Sequence, residues 1–172
     1  VNATLSLNQR STVIYGSLGY IHDDVGAILR GMNQMDVDPM GRMLSNRGRV
    51  GELEGVNTSL SVQQLILPNL WVSASYDLIY TQGYLANVYR SVMVQGVLTP
   101  ETHPGSRTRH ALSGRIAYFF EPTRTAVHLM YRSYFDDWEL GAVNPEVRLY
   151  QEIGDSVTLR ARYRFYDQTR SF

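Results

Sequence analysis

The chain contains neither cysteine nor lysine. Without cysteine there is no disulfide, no thiolate metal ligand and no sulfur nucleophile. Without lysine, all sixteen basic residues are arginine, which a GC-rich coding bias would produce and so would a need for planar, permanently charged donors. Net charge is also missing: sixteen acidic residues balance the sixteen arginines, so no global basic field points to nucleic acid. Long apolar runs are absent. No stretch approaches the roughly 18 consecutive apolar residues of a membrane-spanning helix. The opening Val1-Asn2-Ala3-Thr4-Leu5 has no basic start and no apolar h-region. A signal has therefore been removed, or the chain begins partway through a longer protein.

What the chain has instead is tyrosine, glycine and alternation. Its 172 residues suggest one domain and include 12 Tyr and 14 Gly. The mean hydropathy of -0.23 is compatible with a membrane location, because a barrel strand is apolar only at every second position.

From Val157 the odd positions are Val157, Leu159, Ala161, Tyr163 and Phe165, and the even ones Thr158, Arg160, Arg162, Arg164 and Tyr166. Ten residues of strict alternation predict a strand with one apolar and one polar face. Before it, Val143, Val147, Leu149 and Ile153 alternate with Asn144, Glu146, Arg148, Tyr150 and Glu152, and Gly154-Asp155 makes the turn of a hairpin. A second hairpin carries Leu112, Gly114, Ile116, Tyr118 and Phe120 before Glu121-Pro122-Thr123, then Thr125, Val127, Leu129 and Tyr131. Pro122 cannot donate to a ladder and belongs in that turn. A third turns at Pro68-Asn69, with Leu60, Val62 and Ile66 before it and Leu70, Val72, Ala74, Tyr76, Leu78 and Tyr80 after it. A fourth pairs residues 3–9 with 12–20 around Arg10-Ser11.

The turns near 10, 68, 122 and 154 are tight, whereas 22–56 and 82–106 read as long loops, with only a short link near Phe135-Asp136-Asp137. Short turns at one end and longer loops at the other characterise bacterial outer-membrane barrels. The expected strands, about 9–14 residues, are long enough for a tilted crossing of the hydrocarbon layer. Aromatics gather toward both ends: Trp71, Tyr118, Phe119 and Phe120 near the tight turns, and Tyr80, Tyr84, Tyr131, Tyr134, Phe135, Trp138, Tyr163, Phe165 and Tyr166 near the others. Such belts match interface girdles. A soluble β-sandwich would alternate identically but bury its apolar set.

Three further signatures are Tyr131-Arg132-Ser133-Tyr134-Phe135-Asp136-Asp137-Trp138, Arg162-Tyr163-Arg164-Phe165-Tyr166-Asp167-Gln168 and Gly83-Tyr84-Leu85-Ala86-Asn87-Val88-Tyr89-Arg90. With Asp38-Pro39-Met40-Gly41, they make the chain resemble an uncharacterised family of proteobacterial outer-membrane proteins of unknown function. The resemblance is carried most by residues 107–170. It implies an outer-membrane barrel, gives no activity, and implies members that continue past the Arg-Tyr-Arg-Phe-Tyr-Asp-Gln segment. Phe172 agrees with a continuing chain, since the two-residue steps before it are Arg170, Gln168, Tyr166 and Arg164, mostly polar.

The polar faces converge on arginine. Arg107, Arg109, Arg115, Arg124, Arg132, Arg148, Arg160, Arg162 and Arg164 oppose the apolar residues and would line a lumen with Glu146, Glu152 and Asp77. Arginine lining a pore favours anions. Arg–carboxylate networks that merely hold the wall are the equally weighted reading. In the first long loop Asp23, Asp24, Asp36 and Asp38 cluster near Asn33, and Asp36 and Asp38 are a weak Ca²⁺ candidate without EF-hand spacing; solvated loop acids are the plainer reading. The four histidines, His22, His103, His110 and His128, form no zinc motif. Tyr15-Gly16-Ser17-Leu18-Gly19 lacks the spacing and strand-to-helix context of a nucleophile elbow.

The reading is therefore all-β: an antiparallel up-and-down transmembrane β-barrel with about eight strands here, residues 1–172 forming a single domain or an arc of a larger barrel. The expected location is the bacterial outer membrane and the expected partner the lipid bilayer. No enzyme activity, cofactor or nucleic-acid partner is expected. The expected function is a passive channel with an Arg-rich, anion-biased lumen. The alternative is a plugged structural barrel whose long loops bind other outer-membrane or periplasmic proteins.

Overall fold

The computed structural model describes residues 1–28, 47–85, 91–94, 97–100 and 103–169. The strands are β1 (Asn2–Leu7), β2 (Thr12–Ile28), β3 (Arg47–Leu67), β4 (Leu70–Gly83), β5 (Ser91–Val94), β6 (Val97–Pro100), β7 (Ser106–Phe120), β8 (Thr125–Asp136), β9 (Gly141–Ile153), β10 (Val157–Arg164) and β11 (Asp167–Gln168). Asn8–Arg10 forms a 3₁₀ turn. The main sheet has nine strands in the order β1-β2-β3-β4-β7-β8-β9-β10, with β11 also on β9; β5 and β6 pair in a sheet of their own. Apart from β5, β6 and β11, strands adjacent in the chain are adjacent in the sheet, as expected of an antiparallel up-and-down fold. Among the described residues the sheet is open, with β1 and β10 at its edges.

The tight turns lie where turn chemistry places them. Pro68-Asn69 alone separates β3 from β4. Asn8, Gln9 and Arg124 take positive φ at the other polar turns, and Gly154 (φ 62°) does so between β9 and β10. Asn69 Nδ2 donates to the Phe119 carbonyl at 3.1 Å, and the Phe119 N–H donates back to the Asn69 carbonyl at 2.9 Å. In the turn before β8, Arg124 reaches Glu152 (2.9 Å) and Asp155 (3.1 Å). These two carboxylates, Asp155 foremost, raise the affinity of its guanidinium for its proton.

β10 and β11 are one strand in two pieces. Arg164 faces Glu146 and Asp167 faces Val143, so the register runs unbroken across the gap. The gap falls opposite Pro145, which has no N–H to give the ladder, although the Phe165 N–H still reaches its carbonyl at 3.0 Å.

The chain divides into two compact units. The first comprises Val1–Gly19, Val56–Tyr80 and Arg107–Phe172, and the second Tyr20–Gly55 and Thr81–Ser106. In the second unit the strands run further than alternation predicts. The expected loop 22–56 gives up 22–28 to β2 and 47–56 to β3, and the expected loop 82–106 contains the β5–β6 hairpin. The pattern failed there because Asp23, Asp24, Glu52 and Glu54 are interspersed with Val25 and Leu53, leaving no clean apolar face to mark a strand. Polar contacts take over: the Tyr20 hydroxyl (3.0 Å) and Gln82 Nε2 (3.2 Å) both donate to Glu54, and His22 lies 3.6 Å from it. The Gln82 and Tyr20 hydrogen bonds hold the Glu54 carboxyl below its ordinary range. Asn33, Asp36, Asp38 and the Asp38-Pro39-Met40-Gly41 stretch lie outside the described residues, as does Phe172.

Gly83 closes this unit's ladder at φ 109°, and a Cβ there would stand 2.0 Å from the Glu52 carbonyl oxygen. The Tyr84 N–H donates to that same oxygen at 2.8 Å. Gly83→Ala is therefore expected to cost at least about 2 kcal/mol and to speed amide hydrogen exchange at Tyr84, with little change at Phe119.

In the first unit the usual burial order is reversed. Leu112 (53%), Leu129 (46%) and Leu159 (56%) are among many exposed large apolar residues. The only buried hydrophobic residue among those described is Ala111, while Glu146 is 6% exposed. A soluble sheet stabilised by its core would show the opposite.

Candidate functional site

Strand pairing fixes the polar face row by row, because side chains directly opposite each other share a face. One row runs Ser113–Arg132–Asn144 across β7, β8 and β9. The next runs Arg115–Met130–Glu146–Arg164, reaching β10. The third runs Ala117–His128–Arg148–Arg162. The apolar face is built in the same way from Ile116–Leu129–Val147–Tyr163 and Tyr118–Val127–Leu149–Ala161.

Two arginines, Arg148 and Arg162, face each other directly, an arrangement that repels unless neutralised. Glu146 neutralises it. Arg148 Nε bonds one carboxylate oxygen, and an Arg162 terminal nitrogen donates to the other at 2.7 Å. Arg164, opposite Glu146 in register, turns instead to Asn144 Oδ1 at 2.8 Å.

Arg115 has no such partner. Met130 separates it from Glu146 in the row, and it donates to the Met130 sulfur (3.5 Å) and stands over the face of Trp71, with 5.7 Å from the guanidinium carbon to the ring centre. Its Nε is buried and unbonded, as is His128 Nδ1 two strands from Arg162. Among the described residues no carboxylate pairs with Arg115, Arg132 or Arg164. These three, with Arg148, Arg162, Glu146, Asn144 and the hydroxyls of Ser73, Ser75 and Ser113, surround a cavity of about 400 Å³.

The remaining lumen candidates divide three ways. Arg109 and Asp77 border a smaller cavity of about 210 Å³ with Arg132, and Asp77 accepts from Ser59 at 2.6 Å. Arg160 stands 5.4 Å from the Tyr150 ring centre. Arg124 and Glu152 are spent on the turn contacts described above, and Arg107 on Asp136 at the end of β8.

The aromatic candidates also separate by phase. Tyr80, Tyr118, Phe120, Tyr131, Phe135, Tyr163 and Phe165 share the parity of the apolar residues of their strands, and Tyr84 follows β4 in the same parity. Trp71, Phe119 and Tyr134 have the opposite parity, and Trp71 borders a polar cavity of about 400 Å³ with Arg115, Asp77 and four serines. Trp138 lies in the β8–β9 turn with Arg107 4.4 Å above its ring. Position along the strand suggested a belt for these four; phase assigns the first three to the polar face. Trp71, expected in the girdle, and Asn144, read only as a polar strand position, thus both belong to the polar face, and parity alone would have placed them there.

No group of three or more His, Asp or Glu suited to a metal occurs among the described residues. His110 is tied to the Tyr76 hydroxyl at 2.7 Å and stacked on Phe135, and Ser17 lies within β2 opposite Asn2. No described helix is long and apolar enough to cross a membrane, which does not bear on crossing by strands.

A family profile described as "Protein of unknown function (DUF3570)" matches residues 1–171. No curated protein and no solved structure matches the chain.

Proposed function

We propose, taking as the premise that this chain belongs to the DUF3570 family of proteins of unknown function, that it forms wall of an outer-membrane β-barrel acting as a passive channel with an anion-biased, arginine-lined lumen. The observation that carries this reading is the reversed burial of the first unit, with leucines exposed and Glu146 enclosed by two arginines. Lipid is the solvent that rewards such a face, because the inner strands satisfy their backbone groups in the ladder and the apolar side chains would meet hydrocarbon. That architecture supports a bacterial outer-membrane location. Solutes would be sorted by charge at the arginine rows, with no chemical step.

Leu129 tests the membrane half of this reading. It sits mid-strand on the apolar face of β8 between Ile116 and Val147. Leu129→Arg is expected to cost about 2–4 kcal/mol of stability in lipid, measured by urea titration in phospholipid vesicles. On a water-facing surface the same change stays within about 0.5 kcal/mol, and that outcome overturns the reading.

Conductance of the detergent-refolded protein in a planar bilayer under a salt gradient tests the channel half. Stepwise currents with a reversal potential favouring anions are expected. The Arg148–Glu146–Arg162 clamp specifically favours a second reading, a plugged barrel whose polar network only holds the wall. Insertion without current would establish that reading in place of the channel.

A further inference from the structure

Five arginines and one carboxylate line the 400 Å³ cavity, and they are not equivalent. Glu146 occupies Arg148 and Arg162 and so fixes one side of the cavity. Among the described residues the other three guanidinium groups form no ion pair with a carboxylate. Arg115 donates to a thioether and lies over an indole face, neither of which can neutralise it, and Arg164 donates to a neutral amide. Arg115 and Arg132 lie in adjacent rows on neighbouring strands, and Arg164 closes the row of Arg115 from β10.

We infer that this cavity is a resting binding site for the phosphoryl group of a small solute, held by Arg115, Arg132 and Arg164. The inference deepens the channel reading and rests on its assignment of the polar face to the lumen. Three cations lining one cavity are more than a monovalent anion can neutralise. A guanidinium fork matches phosphoryl oxygens two at a time. A buried Nε–H without an acceptor is a donor that an incoming oxyanion satisfies. The volume falls within the range of small-molecule sites, and Ser113 supplies a hydroxyl beside Arg132 for the rest of the solute.

The test is isothermal titration of the detergent-refolded protein with inorganic pyrophosphate, with succinate as the carboxylate comparison. Saturable pyrophosphate binding at least tenfold tighter than succinate is expected. Arg132→Gln with Arg164→Gln should raise the pyrophosphate Kd at least tenfold. Arg115→Lys, which keeps the charge but loses the fork, should raise it severalfold in a protein that still shifts normally on heat-modifiability gels. Arg160→Gln, on the Tyr150 ring outside the cavity, should leave it unchanged. Absence of saturable binding, equal affinity for succinate, or binding indifferent to the double substitution each overturns the proposal. Because binding is read in detergent without current, a silent but pyrophosphate-binding protein would refute the channel while keeping this site.

Discussion

Replacing Glu146 with Gln is expected to lower the unfolding midpoint of the refolded protein by roughly 10 °C, read by loss of heat-modifiable migration. The reason lies in register. Arg148 and Arg162 are directly opposed on β9 and β10, and one carboxylate, 6% exposed, holds both. Glutamine fills the same volume but brings no charge, so two guanidinium groups remain face to face, Arg148 largely covered and Arg162 partly exposed. Removing one partner of a buried ionic cluster costs far more than the cluster contributes over an apolar substitute. The companion substitution should therefore rescue: Arg162→Met in the Glu146→Gln background removes the second charge and is expected to recover most of the midpoint. Failure to rescue would show that Glu146 acts through something other than this pair.

Asp136→Ala is the other large effect, expected at about 3 kcal/mol or more. The Asp136 side chain has no exposed surface. It accepts from Arg107 Nε (3.0 Å) and a terminal Arg107 nitrogen (2.5 Å), from the Tyr134 hydroxyl (2.7 Å), and from the Trp138 and Leu140 N–H groups (3.0 Å each). One carboxylate thus shapes the β8–β9 turn, seats Glu139 at φ 61°, and anchors Arg107 above Trp138. Truncation takes an acceptor from Arg107, from Tyr134 and from two backbone N–H groups at once. Tryptophan emission should report it, since Trp138 loses its packed cation while Trp71 keeps Arg115. A two-state urea titration that moves by less than about 1 kcal/mol would mean the turn is held by its backbone alone.

Sequence made the hairpins of the first unit legible, and with them the strand order, because period-two alternation and turn residues are local signals. Val157 to Arg164 could be read as a strand with its face assigned, and Gly154 marked its turn. The second unit was not legible: around Glu52 and Glu54 both faces mix charge with apolar side chains, and pairing there depends on contacts from Tyr20 and Gln82 far away in the chain. The site was legible as a set and not as a division of labour. Alternation placed Arg115, Arg148 and Arg162 on one face, but only register shows that Glu146 reaches two of them and that Met130 keeps it from the third. Trp71 was misplaced for a related reason: distance from a turn suggests a belt, whereas parity decides the face.

The consecutive strand order also dictates how the sheet assembles. From β7 to β10, each pairing closes over a turn of only a few residues, whereas β4 meets β7 across residues 84–105. Closing the longer segment costs about 1.5 kcal/mol more in chain entropy than closing a four-residue turn. The four C-terminal strands of the main sheet can therefore zip together first, neighbour on neighbour, and offer the free edge of β7 as the template on which β4 docks. Folding kinetics should then be polarised, with protection against exchange arising at Leu129 and Val147 before it arises at Val72.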